Sequence, residues 1–199
     1  MPLSSSPASG PPHALPTVIV LAAGAGKRFV ANGGQTHKLA ALLAGKPVLQ
    51  HVLDAVQASG LPHHVVRADA ARPGMGDSIA DGVRATLDAA GWLILPGDLP
   101  LVQGASLRAV ADAMAQHAVV IASYQGVRGH PVGFSVLCRE GLLGLKGNQG
   151  AALVVRAQEA INSVAFLELD DIGIVTDVDT LDDLTHAEQL LRERAGRLK

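Results

Sequence analysis

The sequence is poor in several residue types, and each shortage narrows the class of protein. Its only cysteine is Cys138, which excludes an intrachain disulfide and a cysteine-rich metal site, and we expect a cytoplasmic protein. Aromatic residues make up 3% of the 199 residues, so the predicted core is aliphatic. With 16 Lys and Arg against 18 Asp and Glu, the chain lacks the basic excess of proteins that bind nucleic acid or anionic membranes.

Long hydrophobic runs are absent as well. No apolar stretch approaches the roughly 18 residues that a membrane-spanning helix needs. Residues 1–16 are rich in Pro, Ser and Gly and have neither the cations nor the apolar segment of a signal peptide, so we expect a flexible tail there. Hydrophobic residues still make up 48% of the sequence, enough for a core, and we expect one domain over residues 17–199.

From residue 17 onward, short apolar runs alternate with amphipathic stretches. The run TVIVLAA at residues 17–23 is typical of a buried parallel strand. Further strands are predicted at 63–68, 92–95, 119–123, 131–136, 164–169 and 174–175, and helices at 47–59, 78–90, 106–116, 151–158 and 181–195. This alternation predicts an α/β fold with a mostly parallel sheet and helices on both faces. Ligands bind beyond the carboxyl ends of such strands, which singles out the loops after residues 23 and 95.

The first of these loops, in LAAGAGKRF at residues 21–29, has the composition of a phosphate-binding loop. Its glycines let backbone N–H groups approach a phosphate closely. Positive charge comes from Lys27, Arg28 and Lys38. A Walker A loop is excluded because no Ser or Thr follows Gly-Lys, and a dinucleotide fingerprint needs a third glycine where Phe29 stands. The alternative is an ordinary strand-to-helix turn with solvated cations.

The second loop carries Asp98, within LPGDLPLV at residues 95–102. The flanking prolines and glycine hold its carboxylate rigidly at the end of a buried strand. Mg²⁺ prefers one or two carboxylates together with substrate phosphates, so Asp98 is a candidate Mg²⁺ ligand, with a turn-capping aspartate as the alternative. Asp179 is a second candidate ligand or, like Thr180, an N-cap of the final helix.

The segment PGMGDSIADG at residues 73–82 has more than one interpretation. It could present N–H donors of a helix N-terminus to a ribose or phosphate, or Asp77 or Ser78 could simply cap that helix. The GDSIA pattern also approaches the nucleophile elbow of a serine hydrolase, with Ser78 as nucleophile and His130 or His186 as base. Pro-Gly precedes the pattern where an elbow requires a strand, which argues against a hydrolase.

Eight motifs together resemble those of one known family. In chain order they are LAAGAGKRF, HKL, GKPVLQHVL, PGMGDSIADGV, LPGDLPLV, RGHPVGFS, GNQGAA and TDVDTLDDL, and the set resembles the MobA-like nucleotidyltransferase family. The similarity is greatest to molybdenum cofactor cytidylyltransferases, because LAAG rather than LAGG stands at residues 21–24. It implies a Rossmann-like nucleotide-diphospho-sugar transferase fold. It also implies transfer of CMP from CTP to a phosphorylated acceptor such as molybdopterin, with Mg²⁺ as cofactor and pyrophosphate as product.

The resemblance also implies roles for individual residues. The residues that act in the transfer are Arg28, Lys38 and Asp98. The nucleotide contacts are Leu21, Ala22, Ala23, Gly24, Gly26, Lys27, Met75, Gly76 and Ser78. The acceptor contacts are Arg128, His130 and Gly150, and the metal ligands are Asp98 and Asp179. Family members carry an extra helix and strand where this chain has only residues 69–73, so a nucleotide or cofactor carrier for a molybdoenzyme is an alternative, with a NAD(P)-binding oxidoreductase as another.

Overall fold

The structure is a computed structural model that describes residues 14–24, 26–67, 69 and 74–197. The side chains of Lys27 and Arg197 are not described, and most of the predicted tail at residues 1–16 lies outside the described ranges. Within those ranges no helix is both long enough and apolar enough to cross a membrane.

A six-stranded sheet lies at the centre of the fold. The strands are β1 (Thr17–Ala22), β2 (Leu42–Leu43), β3 (Lys46–Pro47), β4 (His63–Arg67), β5 (Gly91–Pro96), β6 (Val119–Tyr124), β7 (Val127–Ser135) and β8 (Val164–Glu168). β2 and β3 form a separate hairpin, and the other strands lie in the order β4-β1-β5-β7-β6-β8. The β1–β4, β1–β5 and β6–β8 pairs are parallel, whereas β7 runs antiparallel to β5 and β6. The predicted, mostly parallel sheet is confirmed.

Helices cover both faces of this sheet, as predicted. They are α1 (Lys27–Ala31), α2 (Val48–Ser59), α3 (Met75–Arg84), α4 (Gly104–Ala113), α5 (Arg139–Leu143), α6 (Ala152–Glu159) and α7 (Leu181–Arg197). Successive strand side chains point to opposite faces. Val18 and Val20 of β1 accordingly pack in one core cluster with α2 and α4, while Ile19 packs in another with α3, α5 and α6. A third cluster packs α7 against Phe29 and Leu43.

The predicted strand at residues 174–175 is wrong. Ile172–Val175 form a 3₁₀ helix, and Asp171 caps it by accepting a hydrogen bond from the backbone N–H of Gly173 at 3.0 Å. Two apolar residues in a row suggested a strand, but the segment packs directly on the chain near Leu101. A Cβ placed on Gly173 would lie 2.1 Å from the Leu101 carbonyl oxygen, so tertiary packing decides the local conformation.

β7 begins earlier than predicted, at residue 127 rather than 131, because it forms a hairpin with β6. The pairing continues to Tyr124 and Val127, and the two residues between them, Gln125 and Gly126, have φ values of 49° and 78°. Positive φ at both central residues is the geometry of a type I′ hairpin turn. α3 is also displaced, since it spans residues 75–84 instead of 78–90.

Candidate functional site

A cavity of about 730 Å³ lies at the carboxyl ends of β1 and β5. In the sheet, β1 lies between β4 and β5. The chain passes from β1 through α2 to β4 on one side, and from β4 through α3 to β5 on the other. α2 and α3 pack on opposite faces of the sheet, so the order of the strands reverses at β1. Such a switch point is where doubly wound sheets bind ligands. Twelve of the predicted site residues line the cavity: Leu21, Ala23, Gly24, Gly26, Arg28, Lys38, Met75, Ser78, Asp98, Arg128, His130 and Asp179. Ala22, Gly76 and Gly150 lie outside this lining.

The glycine loop after β1 is held in place by a histidine that the sequence reasoning missed. Nε2 of His37 lies 2.6 Å from the carbonyl oxygen of Gly24, and Nδ1 accepts a hydrogen bond from the backbone N–H of Leu39. An accepting Nδ1 makes Nε2 the donor to Gly24. Gly26 has φ +62° and stands directly before α1, and a Cβ on it would lie 3.2 Å from the His37 ring. The sequence signal for His37 was its place in the HKL motif at residues 37–39, beside Lys38.

Lys38 is the centre of an ion network that lines the cavity. Its Nζ lies 2.5 Å from Oδ2 of Asp98 and 2.6 Å from Oδ1 of Asp179, and the Lys38 side chain is 11% exposed. Nη1 of Arg28 lies 2.7 Å from the other Asp179 oxygen, Oδ2, while the Arg28 side chain is 78% exposed. Burial disfavours the ammonium, but the hydrogen bonds to Asp179 and Asp98 and the charges of these two carboxylates together outweigh burial and raise the pKa of Lys38 above its usual value.

Backbone hydrogen bonds bring the loops of this network together. The carbonyl oxygen of Asp98 accepts from the N–H of Val178 at 2.9 Å, and Gly97 donates to the Leu21 carbonyl at 3.0 Å. These contacts join the loop after β5 to the loop after β1 and to the segment that enters α7. Asp179 therefore lies beside Asp98, as part of the same cluster.

Thr180, and not Asp179, provides the cap of α7. The hydroxyl of Thr180 accepts from the N–H of Asp183 at 3.1 Å, and the Asp183 carboxylate accepts from the N–H of Thr180 at 2.8 Å. This reciprocal pair is a capping box. The Asp179 side chain is left to the ion network.

The carboxylates fit a divalent cation that arrives together with phosphates. Among the described residues, no group of three His, Cys, Asp or Glu side chains is arranged to hold a metal ion. Asp98 and Asp179 nevertheless point at one position, now taken by the Lys38 ammonium, and two carboxylates plus substrate phosphates are a usual Mg²⁺ ligand set. Asp177 also lines the cavity, and burial together with Asp179 and Asp98 raises the pKa of its carboxyl. Its spacing from Asp179 in TDVDT was the available sequence signal.

The prediction that Asp77 or Ser78 caps α3 is wrong. Gly74 is the N-cap residue, and none of the described side chains caps the helix. The Ser78 hydroxyl donates to the Gly74 carbonyl at 3.1 Å inside the first turn, and an Asp77 carboxylate oxygen accepts from the N–H of Gly147 at 2.9 Å. Ser78 thus lies within a helix and not on the strand-to-helix turn that a nucleophile elbow requires, which removes the basis of the hydrolase interpretation.

The opposite side of the cavity carries the predicted acceptor residues. The Arg128 guanidinium lies over the Phe166 ring, 4.6 Å from its centroid, and 3.5 Å from Glu159. Within the described part of the chain the buried Nδ1 of His130 has no hydrogen-bond partner. Burial lowers the pKa of His130 despite the nearby carboxylate of Asp98, so its imidazole is neutral at pH 7. Asn148 lines the cavity where Gly150 was predicted to do so.

A doubly wound α/β sheet with a glycine loop, cations and carboxylates at its switch point defines a nucleotide-binding domain of the phosphate-transfer class. Residues 18–162 match one protein family, the MobA-like NTP transferase domain. The chain belongs to this family of nucleotidyltransferases.

Individual relatives match over part of their length. The purine catabolism protein PucB of Bacillus subtilis (strain 168) is 33% identical over 112 residues, which are 55% of this chain and 54% of PucB. The bifunctional protein GlmU of Xanthomonas campestris pv. campestris (strain 8004) is 32% identical over 134 residues, 57% of this chain and 29% of GlmU. The chain therefore spans about half the length of PucB and about three tenths of GlmU.

Solved structures share the whole fold. Rv0371c of Mycobacterium tuberculosis H37Rv superposes with a TM-score of 0.73 at 24% identity, covering 88% of this chain and 98% of that one, and it is also known in complex with manganese. Molybdopterin-guanine dinucleotide biosynthesis protein A of Archaeoglobus fulgidus has a TM-score of 0.62 at 15% identity, covering 89% and 99%. The predicted Rossmann-like nucleotidyltransferase fold is confirmed.

Proposed function

We propose that the chain transfers CMP from CTP to a phosphorylated acceptor such as molybdopterin, releasing pyrophosphate with Mg²⁺ as cofactor. The observation that carries the proposal is the convergence of two carboxylates and two cations beside the glycine loop, in Asp98, Asp179, Lys38 and Arg28. Residues 17–199 would act as one transferase domain. A molybdoenzyme would receive the product.

The residues divide the work of phosphoryl transfer between binding and charge neutralisation. The backbone around Gly24 and Gly26 would hold the triphosphate, while Arg28 and Lys38 would take up charge on the transferring and leaving oxygens. Mg²⁺ held by Asp98 and Asp179 would supply further charge neutralisation at the reacting phosphate. No general base is needed, because a phosphate acceptor is already ionised at neutral pH.

Three observations support the finer assignments. LAAG at residues 21–24 favours CTP over GTP, following the family resemblance. The protein of Archaeoglobus fulgidus with the same fold is named for molybdopterin-guanine dinucleotide biosynthesis, which supports a molybdopterin-type acceptor. The structure of Rv0371c in complex with manganese supports a divalent cation as cofactor of this chain.

The first test replaces the candidate metal ligand. Asp98→Asn keeps the shape of the side chain and removes its charge, so we expect pyrophosphate release from CTP and acceptor to fall by about 10²–10³-fold or more. Asp54→Asn is the matched control, because Asp54 pairs with Lys46 at 2.7 Å on the surface of α2 and should leave the rate unchanged. Circular dichroism and thermal melting check that both variants fold. Full activity in Asp98→Asn would remove Asp98 from the mechanism.

The second test identifies the nucleotide. A ligand that binds only the native state stabilises it by about 2.7 kcal/mol at a hundredfold excess over Kd. With Mg²⁺ present, we therefore expect CTP to raise the melting temperature more than GTP, ATP or UTP. A clear GTP preference would move the protein to guanylyl transfer, and stabilisation by NAD(P) alone would favour the oxidoreductase.

A non-catalytic carrier is the second candidate, favoured by the short connection of residues 69–73 ahead of α3. A carrier has no evident need for cations directed at a leaving pyrophosphate, which favours catalysis. An end-point assay with CTP, saturating Mg²⁺ and molybdopterin separates the two. Tight binding of both ligands without CMP transfer would establish the carrier.

A further inference from the structure

The Lys38 ammonium occupies the position at which the two carboxylates meet. It bridges Asp98 Oδ2 and Asp179 Oδ1, at 2.5 and 2.6 Å. Arg28 contacts the remaining Asp179 oxygen, so both oxygens of that carboxylate have cationic partners. A divalent cation that binds Asp98 Oδ2 and Asp179 Oδ1 together, at the position where the two carboxylates meet, must therefore replace the ammonium.

The ammonium and a divalent cation exclude one another at this position. Both are positive, and at this position both would bind Asp98 Oδ2 and Asp179 Oδ1. The Lys38 side chain is 11% exposed, so little water is available to screen their repulsion. When a ligand can bind only the minor state of a site, its apparent affinity falls by the fraction of that state. If the arrangement with Lys38 between the carboxylates is the major state without nucleotide, the apparent affinity of the cation for this position is lowered.

A triphosphate bound to the glycine loop would offer the Lys38 ammonium a second set of anionic partners. Its backbone lies directly after His37, whose ring holds the Gly24 carbonyl, so Lys38 is attached to the edge of the glycine loop. Its four-carbon side chain can swing while the backbone stays in place. A triphosphate on the glycine loop would present several negative oxygens to the ammonium, in exchange for the two carboxylates.

We propose that Lys38 keeps a divalent cation out of the Asp98–Asp179 site until a nucleoside triphosphate draws its ammonium away, so that metal and nucleotide bind cooperatively. The second half of this inference rests on the proposed function, because it requires that a triphosphate binds the glycine loop. The first half does not, since it concerns the chain without nucleotide.

The test measures Mn²⁺ binding to the full, nucleotide-free chain by electron paramagnetic resonance of free Mn²⁺. Lys38→Met removes the charge and keeps most of the side-chain length, and we expect it to bind Mn²⁺ about tenfold or more tightly than the wild type. Lys38→Arg keeps a cation and should bind as weakly as the wild type. Lys46→Met is the matched control on the surface, where Lys46 pairs with Asp54, and should leave the affinity unchanged.

A second arm adds the non-cleavable analogue α,β-methylene-CTP. We expect the analogue to raise Mn²⁺ affinity severalfold more in the wild type than in Lys38→Met, because only the wild type has an ammonium to displace. If the analogue fails to bind either protein, the proposed function fails, but the nucleotide-free difference between them still tests the exclusion by Lys38.

Equal Mn²⁺ affinities of nucleotide-free wild type and Lys38→Met would overturn the inference. It would also be overturned if Lys38→Arg bound Mn²⁺ as much more tightly than the wild type as Lys38→Met does. Thermal melting with and without Mn²⁺ checks that each variant is folded. Lys38→Gln provides a second neutral variant if Lys38→Met does not fold, with the same expected gain.

Discussion

Adjacent polar residues at the start of α7 perform different tasks. Asp179 directs its carboxylate to Lys38 and Arg28, whereas Thr180 caps the helix together with Asp183. The Asp183 carboxylate loses solvation on burial, but the hydrogen bonds from the Thr180 hydroxyl and from the backbone of Asp179 and Thr180, together with the charge of His186, outweigh this and lower the pKa of Asp183. A change at Thr180 should therefore affect stability, and a change at Asp179 should affect the ion network.

Thr180→Ala removes the capping hydroxyl. We expect the free energy of unfolding to fall by about 1 kcal/mol, as measured by urea denaturation. Thr185→Ala is the control, because the Thr185 hydroxyl donates to the Leu181 carbonyl within the exposed part of the same helix. That change should stay within about 0.5 kcal/mol. Equal losses in the two variants would refute a specific cap.

At the scale of elements, α3 is joined to the loop of residues 146–150 by close backbone contact. The N–H of Gly76 donates to the Gly147 carbonyl at 2.8 Å, and a Cβ on Gly74 would lie 2.0 Å from that same oxygen. Met75 and Asn148 form one wall of the cavity, and this wall depends on the close contact between the two segments. Glycine is required here for close packing, since neither Gly74 nor Gly76 has a positive φ.

Gly76→Ala should push the two segments apart. Its Cβ would lie 2.6 Å from the Gln149 carbonyl oxygen and 2.9 Å from the Lys146 nitrogen, both backbone atoms that cannot rotate away. We expect a loss of about 1–3 kcal/mol in unfolding free energy and faster hydrogen exchange in residues 146–150. In Gly196→Ala a Cβ would have no neighbour within 4 Å in the part of the chain that the structure describes, so this helical control should be neutral or slightly stabilising. Unchanged exchange in Gly76→Ala would contradict the close contact.

At the scale of the molecule, one buried carboxylate joins distant parts of the chain. Asp171 is 2% exposed and accepts hydrogen bonds from the N–H of Gln103 at 2.9 Å and the hydroxyl of Ser106 at 2.7 Å. Arg194, near the end of α7, lies 3.3 Å from its other oxygen, Oδ1. Asp171 thereby connects the start of α4, the 3₁₀ segment that it caps, and α7.

Asp171→Ala should be strongly destabilising. It leaves buried donors without an acceptor and Arg194 without its ion pair, and we expect a loss of about 3 kcal/mol in unfolding free energy by chemical denaturation. Asp112→Ala, on the exposed side of α4, is the control and should change stability by less than about 0.5 kcal/mol. A loss below 1 kcal/mol at Asp171 would show that it does not hold these elements together.

Local patterns in the sequence determined the fold class and part of the site. Strand runs such as residues 17–23 and the amphipathic α2, which ends at Gly60 with φ +68°, follow from side-chain periodicity and from glycine's conformational freedom. Both site loops were predictable too, because parallel strands end at one edge of the sheet. That rule led to the glycine loop and to Asp98.

The contacts between distant side chains depend on the three-dimensional fold. Lys38 binds carboxylates 60 and 141 positions away along the chain, and no local pattern encodes such a pairing. From the sequence, Asp179 could be a metal ligand or a helix cap. The hydrogen bond from the Val178 N–H to the Asp98 carbonyl brings Asp179 beside Asp98, so the Asp179 carboxylate lies in the ion network. The 3₁₀ helix at Ile172–Val175 likewise follows from packing against Leu101. Long-range contacts override local preference where a segment is buried against a distant part of the chain.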